Sequence, residues 1–410
     1  MKVEIKGSFR DVLSFVAHLK KRKKIFKKAD ASPVERGRMN LLAEELHPEF
    51  QRFTLESVID ETPDTRTYRL KGEGRKPAYF QPGQYISINF RIGNSTLARP
   101  FSISSRPEEA LEEGYYDITV KSCETEGFVD EWIRENWLPG REISSSGPAG
   151  TFTWERLRDS KLLICIAGGS GITPFKPMIP ALLFRDPAAR VILFQGARNR
   201  ADIIFNSFWA ETNRFYGDRF IHVPVLTEPG KGWGGESGFI SGELIRGAVA
   251  RLWGSFDAPA YSYFICGPEG LHSFMEKELS PFNLPGRRIR REEYAINVRR
   301  GENFISGNPD LFSFTVIKGG EEFLVKADPN ETVLVAMERA GLKPPSLCRS
   351  GECGWCRSRL ISGVVSEANR TGERSGLRKA DDKFGYFHPC SVFPEGDLVI
   401  EVPSNPVKDM

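Results

Sequence analysis

The sequence predicts a multidomain protein with an antiparallel β-barrel, an α/β domain built on a doubly wound sheet, and a smaller β-rich domain. Short β-branched and aromatic runs alternate with turns in the first half, for example YISINF at 85–90 and YYDITV at 115–120. Apolar strands such as LLICIA (162–167) and YSYFICG (261–267) then alternate with helical stretches. A last run of strands begins with FSFTVI at 312–317. A length of 410 residues is enough for two to four domains.

Residues 1–50 differ from the rest of the chain in charge. They carry 12 Lys and Arg against 7 Asp and Glu, whereas the whole chain has a net charge of only +3. Apolar residues at helical spacing from Phe9 to Leu19 predict a helix, and seven of the nine residues in 20–28 are Lys or Arg. We expect this extension to dock on an acidic partner or an anionic membrane surface, or else to be a solvated tail. The near-neutral body excludes a nucleic-acid partner.

The composition is that of a soluble globular protein, with 40% apolar and 27% charged residues. The longest apolar stretch, from Leu162 to Gly168, is far shorter than the ~20 residues needed to cross a bilayer. The N-terminus has no apolar signal core. We therefore expect a cytoplasmic protein.

Four of the seven cysteines form a spaced cluster. Cys348, Cys353 and Cys356 are separated by four and two residues, and Cys390 follows after 33 more. One loop can supply three thiolates and a distant strand the fourth, which is the spacing of plant-type [2Fe-2S] centres. A structural zinc site is the alternative, but it usually shows two short ligand pairs. The pattern favours a [2Fe-2S] cluster held by these four cysteines.

The segment Arg99-Pro100-Phe101-Ser102 lies on a predicted barrel strand. A flavin needs an aromatic face for stacking, a hydroxyl donor near its N5 atom and a cation for its phosphate. Phe101, Ser102 and Arg99 could supply these three features. By itself the segment also fits an ordinary strand with an exposed arginine.

The turn Gly168-Gly169-Ser170-Gly171-Ile172-Thr173-Pro174 follows a predicted buried strand and opens a helix. Glycines let the backbone approach a pyrophosphate, and a helix start offers N–H groups and a positive dipole end. Further on, Cys266-Gly267-Pro268 ends a second apolar strand, where a doubly wound sheet lines its ligand crevice. Cys266 alone also fits a small buried residue. The turns predict a nucleotide site at this edge of the sheet.

These motifs, in this order, resemble those of the ferredoxin-NADP reductase superfamily, in the group whose members carry a C-terminal plant-type ferredoxin domain. The resemblance covers about residues 51–405 and implies a flavin-binding barrel, a nucleotide-binding α/β domain and a β-grasp ferredoxin domain. The expected boundaries are a basic helical extension over 1–50, a flavin domain over 51–152, an NAD(P)-binding domain over 153–295, a linker over 296–310 and a ferredoxin domain over 311–410.

The resemblance also assigns residues to the cofactors. Ser102 and Glu292 would lie near flavin N5 and Cys266 near the nicotinamide C4, as the catalytic residues, although Glu293 could take the place of Glu292. Phe101 stands where the family usually has Tyr. The other implied cofactor-binding residues are Gln84, Tyr85, Arg99, Pro100, Val120, Lys121, Gly127, Phe128, Val129, Gly168, Gly169, Ser170, Gly171, Thr173, Pro174, Arg198, Asp202, Gly267, Pro268 and Tyr294.

Two positions bear on which cofactors bind. Asp130 stands where FAD-binding members usually have Ser or Thr, and a carboxylate repels a phosphate unless it turns away to cap its own helix, which favours FMN. We still expect FAD, because a helix that begins at 128–131 offers N–H groups whatever the side chain. Arg198 and Arg200 could hold the 2′-phosphate of NADPH, but the stretch around Asp202 resembles an NAD-type pattern, so we expect NADH.

The implied function is electron transfer from NAD(P)H through the flavin and the [2Fe-2S] cluster to an acceptor protein, which would be an oxygenase, reductase or demethylase component. A second form of this hypothesis is a self-contained reductase that passes electrons directly to small acceptors. The alternative is an electron-transfer or regulatory subunit without nicotinamide turnover of its own. Near the cluster, His388 could tune the cluster by a hydrogen bond, but we expect it to be a neighbouring surface histidine. Trp355 would form part of an exit path or an aromatic lid.

Overall fold

The computed structural model describes residues 7–28, 37–46, 48–122, 128–293, 312–367, 381 and 383–403. The chain divides into two units, Met1–Glu45 and Leu46–Met410. The first contains helix α1 (Ser8–Lys28) and helix α2 (Arg38–Leu46), so the predicted helix is confirmed. Among the described residues, none of the helices combines the length and the apolar character that crossing a bilayer requires.

The second unit begins with a six-stranded antiparallel sheet, as predicted. Its strands are β1 (Phe50–Thr62), β2 (Thr65–Gly72), β3 (Tyr85–Ile92), β4 (Ser95–Ser102), β5 (Tyr115–Lys121) and β6 (Glu142–Ser146), in the order β4-β3-β6-β1-β2-β5. Two helices accompany them, α3 (Pro107–Glu112) and α4 (Phe128–Asn136). Alternate strand residues such as Leu55, Ile88 and Ile118 fill the core, and Trp137 stacks on Phe90 with ring centroids 5.8 Å apart.

An α/β domain follows, with six parallel strands. They are β7 (Leu162–Gly168), β8 (Arg190–Ala197), β9 (Phe220–Leu226), β10 (Glu236–Ser237), β11 (Ser262–Gly267) and β12 (Ile289–Glu293), in the order β10-β9-β8-β7-β11-β12. The helices between them are α5 (Phe175–Arg185), α6 (Asn206–Tyr216), α7 (Gly242–Trp253) and α8 (Glu269–Leu279). A separate apolar core lies on each face of the sheet, so the doubly wound architecture is confirmed.

Strand β12 has a polar sequence, yet it is a full member of the parallel sheet. The strand pairs with β11 over five residues, from Tyr263 opposite Ile289 to Gly267 opposite Glu293. Its Arg290 is buried and donates to the carboxylate of Asp159 at 2.7 and 3.2 Å. A charged residue can lie in this strand because the carboxylate satisfies it.

The last domain has the β-grasp fold that the resemblance implied. Its strands are β13 (Phe312–Lys318), β14 (Glu321–Ala327), β15 (Ser358–Ser362), β16 (Val365–Glu367), β17 (Tyr386–Phe387), β18 (Val392–Pro394) and β19 (Leu398–Val402), with helix α9 (Val333–Arg339). The main sheet has the order β14-β13-β19-β15-β17, with β13 and β19 parallel, and β16 pairs with β18. The hydroxyl of Thr332 caps α9 by accepting from the Val335 N–H.

Candidate functional site

Strand β4 carries the predicted flavin-binding side chains. Phe101 is half-buried, with its ring 6.3 Å from that of Phe90, and Ser102 is buried. Arg99 donates from Nη1 to the carbonyl of Ala98. Pro100 lies between Arg99 and Phe101 on the strand. Among the described residues, Nε and Nη2 of Arg99 have no hydrogen-bond partner. These two groups can therefore donate hydrogen bonds to a phosphate.

Helix α4 begins at Phe128, as predicted, and brings Asp130 towards Arg99. Burial raises the pKa of Asp130 to about 6, while the positive charge of Arg99 opposes that rise. Asp130 lies inside the first turn and is not the residue that precedes the helix. Val129 is buried in the barrel core, so this position offers a cofactor its backbone N–H.

The remaining predicted residues of the barrel differ in what their side chains contact. Tyr85 is buried, which raises the pKa of its hydroxyl. A Cβ atom on Gly150 would come within 2.9 Å of the Tyr85 ring, so only glycine fits there. Gln84 uses both ends of its amide on the backbone, since Oε1 accepts from the Gln81 N–H and Nε2 donates to the carbonyl of Gly150.

Val120 and Lys121 are the last two residues of β5. Val120 is buried in the barrel core. Lys121 forms an ion pair with Asp64 at 3.3 Å. This pair lowers the pKa of Asp64 together with hydrogen bonds from Thr62 and Thr65, against the effect of burial.

The glycine-rich turn lies between β7 and α5, as predicted. Gly168 ends the strand, Gly169 has a φ of +54°, and Gly169–Ile172 form one 3₁₀ turn. A Cβ atom on Gly171 would lie 2.2 Å from the carbonyl oxygen of Cys266, so the turn must pass close to β11. Thr173 is buried and donates from Oγ1 to the carbonyl of Ser170 at 3.0 Å, and Pro174 precedes α5. A helix start of this kind suits a pyrophosphate.

Three predicted catalytic residues from different elements meet at one carboxylate. Ser102 Oγ donates to Glu292 Oε2 at 3.4 Å, and Cys266 Sγ lies 3.8 Å from the same oxygen. Glu292 therefore faces the two residues, whereas the side chain of Glu293 lies outside the described part of the structure. The sequence did not indicate His272, whose Nε2 lies 3.1 Å from the Gly267 carbonyl and 3.0 Å from that of Glu292. This imidazole thus links the carboxyl ends of β11 and β12.

The residues that follow β8 decide what a nucleotide ribose would meet. Asp202 accepts from the Asn199 amide at 2.9 Å, and its carboxylate lies 3.7 Å from Nε of Arg198. Arg200 lies over the ring of Trp233 at 5.6 Å. The negative charge of Asp202 thus offsets the nearest arginine.

After β11, the chain enters α8 through Gly267 and Pro268, the residues predicted to line the crevice. Gly267 is extended, and Pro268 immediately precedes α8. A Cβ atom on Gly267 would lie 2.7 Å from Cδ2 of Leu271. Two predicted residues, Gly127 and Tyr294, lie outside the described residues, as do the linker 296–310 and the side chain of Phe128.

The four clustered cysteines form two pairs. Cys356 Sγ lies 3.4 Å from Cys390 Sγ, and the thiols of Cys348 and Cys353 interact with each other. Backbone N–H groups of Ser350 and Cys353 point at Cys348 Sγ, both at 3.4 Å. Within the described part of the chain, no three His, Cys, Asp or Glu side chains gather at one point that could hold a metal ion. Two thiolate pairs fit two irons better than one tetrahedral zinc ion.

The expectation that His388 lies at the surface is wrong, because the residue is fully buried. Its Nδ1 lies 2.8 Å from the Gly351 carbonyl of the cysteine loop, and its Nε2 lies 3.2 Å from Asp381. Arg357 pairs with the other oxygen of Asp381 at 3.3 Å. The imidazole therefore links the cysteine loop to Asp381. Trp355, by contrast, is 51% exposed beside two of the cysteines.

A buried carboxylate, which no sequence motif indicated, connects the flavin strand with the cysteine loop. Glu338 on α9 accepts a hydrogen bond from Nη1 of Arg349, the residue after Cys348. The other oxygen of Glu338 lies 3.6 Å from Nη1 of Arg99.

Three protein-family models match the described domains in the order of the chain. The oxidoreductase FAD-binding domain matches residues 52–154, the oxidoreductase NAD-binding domain residues 165–277, and the 2Fe-2S iron-sulfur cluster binding domain residues 316–395. The chain belongs to the ferredoxin-NADP reductase superfamily. The protein is thus a reductase with domains for FAD, a nicotinamide nucleotide and a [2Fe-2S] cluster, and the donors described above suit all three groups.

Curated relatives match this reductase over most of their length. NADH oxidoreductase HCR of Escherichia coli (strain K12) is 28% identical over 349 residues, which cover 85% of this chain and 97% of the relative. The glycine betaine monooxygenase reductase subunit of Chromohalobacter salexigens is 26% identical over 361 residues, 84% of this chain and 93% of the relative. Among solved structures, phthalate dioxygenase reductase has the same fold, with a TM-score of 0.60 at 21% identity over 86% of this chain and 98% of that chain.

Proposed function

We propose that the reductase takes electrons from NADH and delivers them singly to an acceptor protein of an oxygenase or demethylase system. The observation that carries the proposal is the position of β4. Ser102, at one end of its flavin motif, meets Glu292 of the nucleotide-binding domain, and Arg99, at the other end, meets Glu338 of the ferredoxin domain. A flavin held by this strand lies between an electron donor and an electron acceptor.

The bound groups supply the redox chemistry: FAD accepts hydride as a pair of electrons and the [2Fe-2S] cluster accepts one at a time. The chain's own residues orient these groups. Ser102 donates its hydroxyl to Glu292 in this structure and would turn the same donor to the flavin ring when the flavin binds. Glu292 also faces the Cys266 thiol, which would line the nicotinamide position. Arg99 and the first turn of α4 would bind the flavin phosphates.

NADH is the preferred donor in this proposal. An NADPH 2′-phosphate near Arg198 would also approach the carboxylate of Asp202, which repels it. An NADH ribose offers a hydroxyl, to which a carboxylate can accept a hydrogen bond. NADH oxidoreductase HCR, a relative of this chain, is named for the same nucleotide.

An anaerobic titration tests this function. The visible spectrum of the purified protein is recorded while NADH, and in a second sample NADPH, is added. We expect the flavin and the cluster absorption both to bleach, at a lower concentration of NADH than of NADPH. If neither nucleotide bleaches a protein that contains both cofactors, the alternative of an electron-transfer subunit without nicotinamide turnover replaces this one.

The acceptor can be tested with the same protein. The glycine betaine monooxygenase relative is a reductase subunit of an oxygenase, so we expect a one-electron protein acceptor to be reduced only when the cluster is present. Cys353→Ser removes one thiolate of a cluster pair, and should abolish this transfer while the flavin is still reduced by NADH. Equal transfer by the variant would mean that electrons leave from the flavin.

We also propose that α1 attaches the reductase to an anionic membrane surface. Phe9, Val12, Val16 and Leu19 recur at helical spacing, and all are exposed. The basic run 20–28 follows directly on the same helix. Exposed apolar side chains beside clustered lysines suit the boundary between lipid headgroups and acyl chains, and each basic residue adds up to ~1 kcal/mol near an anionic surface.

Co-sedimentation of the full chain with vesicles tests the attachment. We expect binding to vesicles that contain phosphatidylserine and much weaker binding to pure phosphatidylcholine. The variant Phe9→Ser/Val16→Ser keeps every charge and should lose most of the binding. If the variant binds as well as the natural chain, charge alone acts, and an acidic protein becomes the better candidate for the partner.

A further inference from the structure

Glu338 is a buried carboxylate that contacts two arginines from different parts of the fold. It lies on α9 and is 3% exposed. Its Oε1 accepts from Arg349, and its Oε2 lies 3.6 Å from Nη1 of Arg99. A carboxylate so deeply buried needs such partners, because an unpaired buried charge is strongly unfavourable.

The two arginines belong to the two redox sites. Arg99 lies on β4, in the segment proposed to bind the flavin, and Arg349 is adjacent in sequence to the proposed cluster ligand Cys348. Arg349 is buried and has a φ of +58°, so the cysteine loop turns sharply at this residue. Helix α9 itself packs against β4.

The charges explain why a carboxylate is needed at this point. The pKa of Arg99 is lowered to about 10, first by burial and then by the nearby positive charge of Arg349, while Glu338 acts in the opposite direction. The two guanidinium groups therefore repel each other across the contact between the domains. Glu338 lies between them and compensates that repulsion.

Pairing with Glu338 does not prevent Arg99 from binding a phosphate. The contact uses Nη1, whereas Nε and Nη2 have no hydrogen-bond partner among the residues that the structure describes. A guanidinium can bind two acceptors through different edges of its planar fork. The same arginine can thus join the flavin to the ferredoxin domain.

We propose that Glu338 is a positioning residue whose carboxylate holds the cysteine loop against the flavin strand and so sets the path from flavin to cluster. The inference rests on the proposed function, because it takes Arg99 as a flavin ligand. Electron transfer slows steeply as the distance between two redox centres grows. A looser contact should therefore slow the step between flavin and cluster and leave the step from NADH to flavin unchanged.

The variant Glu338→Gln tests the proposal, because it keeps the size of the side chain and removes the charge. Glu331→Gln is the matched control, since Glu331 pairs with Arg339 of the same helix at 2.5 Å and contacts neither redox site. In stopped-flow experiments we expect both variants to show flavin reduction by NADH within about twofold of the natural protein. Cluster reduction should slow at least tenfold in Glu338→Gln only, and Glu338→Asp should recover part of the rate.

A second measurement does not depend on turnover. Amide hydrogen exchange is recorded on the flavin-free protein that retains its cluster. We expect faster exchange over residues 95–102 and 333–339 in Glu338→Gln, but not in Glu331→Gln. Unchanged exchange together with an unchanged rate of cluster reduction would overturn the proposal.

Two other experimental outcomes also bear on the proposal: loss of the cluster in the variant, and failure of both nucleotides to reduce the flavin. If Glu338→Gln does not retain its cluster, Glu338→Gln/Arg349→Gln removes the unpaired cation of the loop as well. This double variant should retain the cluster and still transfer slowly, whereas transfer at the natural rate would contradict the proposal. If neither nucleotide reduces the flavin, the proposed function fails, and light-driven reduction of the flavin still measures the step to the cluster.

Discussion

At the scale of single residues, Asp130 places a negative charge where a phosphate is expected. The carboxyl is half-buried and close enough to Arg99 for the two charges to interact. Its pKa of about 6 means that it is mostly ionised at neutral pH and mostly protonated at pH 5. Because the pKa is raised above the ordinary value of 3.8, its contribution to stability is complete at low pH and is lost as the pH rises through about 6.

We therefore predict that Asp130→Ser binds FAD about tenfold more tightly than the natural protein at pH 8, because a repulsion between two anions disappears. Fluorescence titration of the flavin-free protein measures the affinity. The affinity of the natural protein should fall between pH 5 and pH 7, while that of the variant should stay nearly constant. Equal affinities and equal pH profiles would show that Asp130 does not face the phosphate.

Asp202 supports a second prediction, on the choice of nucleotide. Asp202→Ala should raise kcat/KM for NADPH about tenfold, because Arg198 is then free to bind a 2′-phosphate. The value for NADH should fall. Steady-state reduction of ferricyanide measures both, and Asp218→Ala, at an exposed position of the same domain, is the control for a change of net charge. An unchanged ratio of the two values would place the ribose elsewhere.

Residues with a strong local motif could be predicted from the sequence, and residues that act across the fold could not. The interpretation brought Ser102, Cys266 and Glu292 to one site, because each stands in a recognisable segment, and the structure gathers them within hydrogen-bonding range. It was wrong on His388, since a histidine beside a proline gives no signal of burial. Glu338 had no sequence signal either, because its partners are far from it in sequence.

At the scale of elements, strand β12 depends on a buried ion pair with the segment before β7. Arg290 and Asp159 have side-chain exposures of 5% and 0%. The polar sequence of β12 concealed a strand because one carboxylate, distant in sequence, compensates its central arginine. Periodicity alone could not indicate such a long-range compensation.

We predict that Asp159→Asn lowers the free energy of unfolding by about 3–5 kcal/mol, because it removes the buried partner of Arg290 and leaves only the exposed carboxylate of Glu155, at 3.4 Å. Urea unfolding followed by circular dichroism measures the loss. Glu236→Gln is the matched control, since it breaks the more exposed pair with Arg251 and should cost less than about 1 kcal/mol. Similar losses in the two variants would contradict the assignment of a buried charge.

At the scale of the whole molecule, the chain separates a basic helical unit from a redox unit. Residues 1–50 carry a charge of +5, against +3 for the entire chain. The two units are compact by themselves. Attachment through the first should therefore leave the chemistry of the second unchanged.

We predict equal rates of flavin reduction by NADH with and without phosphatidylserine vesicles, at a lipid concentration that binds all the protein. Raising the salt concentration should release the protein from the vesicles, because it screens the lysines of α1. Stopped-flow rates and co-sedimentation are compared on the same samples. A rate that changes on binding would mean that the membrane acts on the redox unit as well.

The two sulfur pairs also differ in how far apart they lie along the chain. Cys348 and Cys353 belong to one loop, whereas Cys356 and Cys390 are 34 positions apart. An iron atom held by the second pair would act as a cross-link that closes a long segment, while an iron on the first pair would close only a short turn. Assembly of the cluster would in this way be part of the folding of the ferredoxin domain. We expect a cell that is short of iron to make this domain in an incompletely folded, protease-sensitive form, so that its supply of iron sets how much working reductase it has.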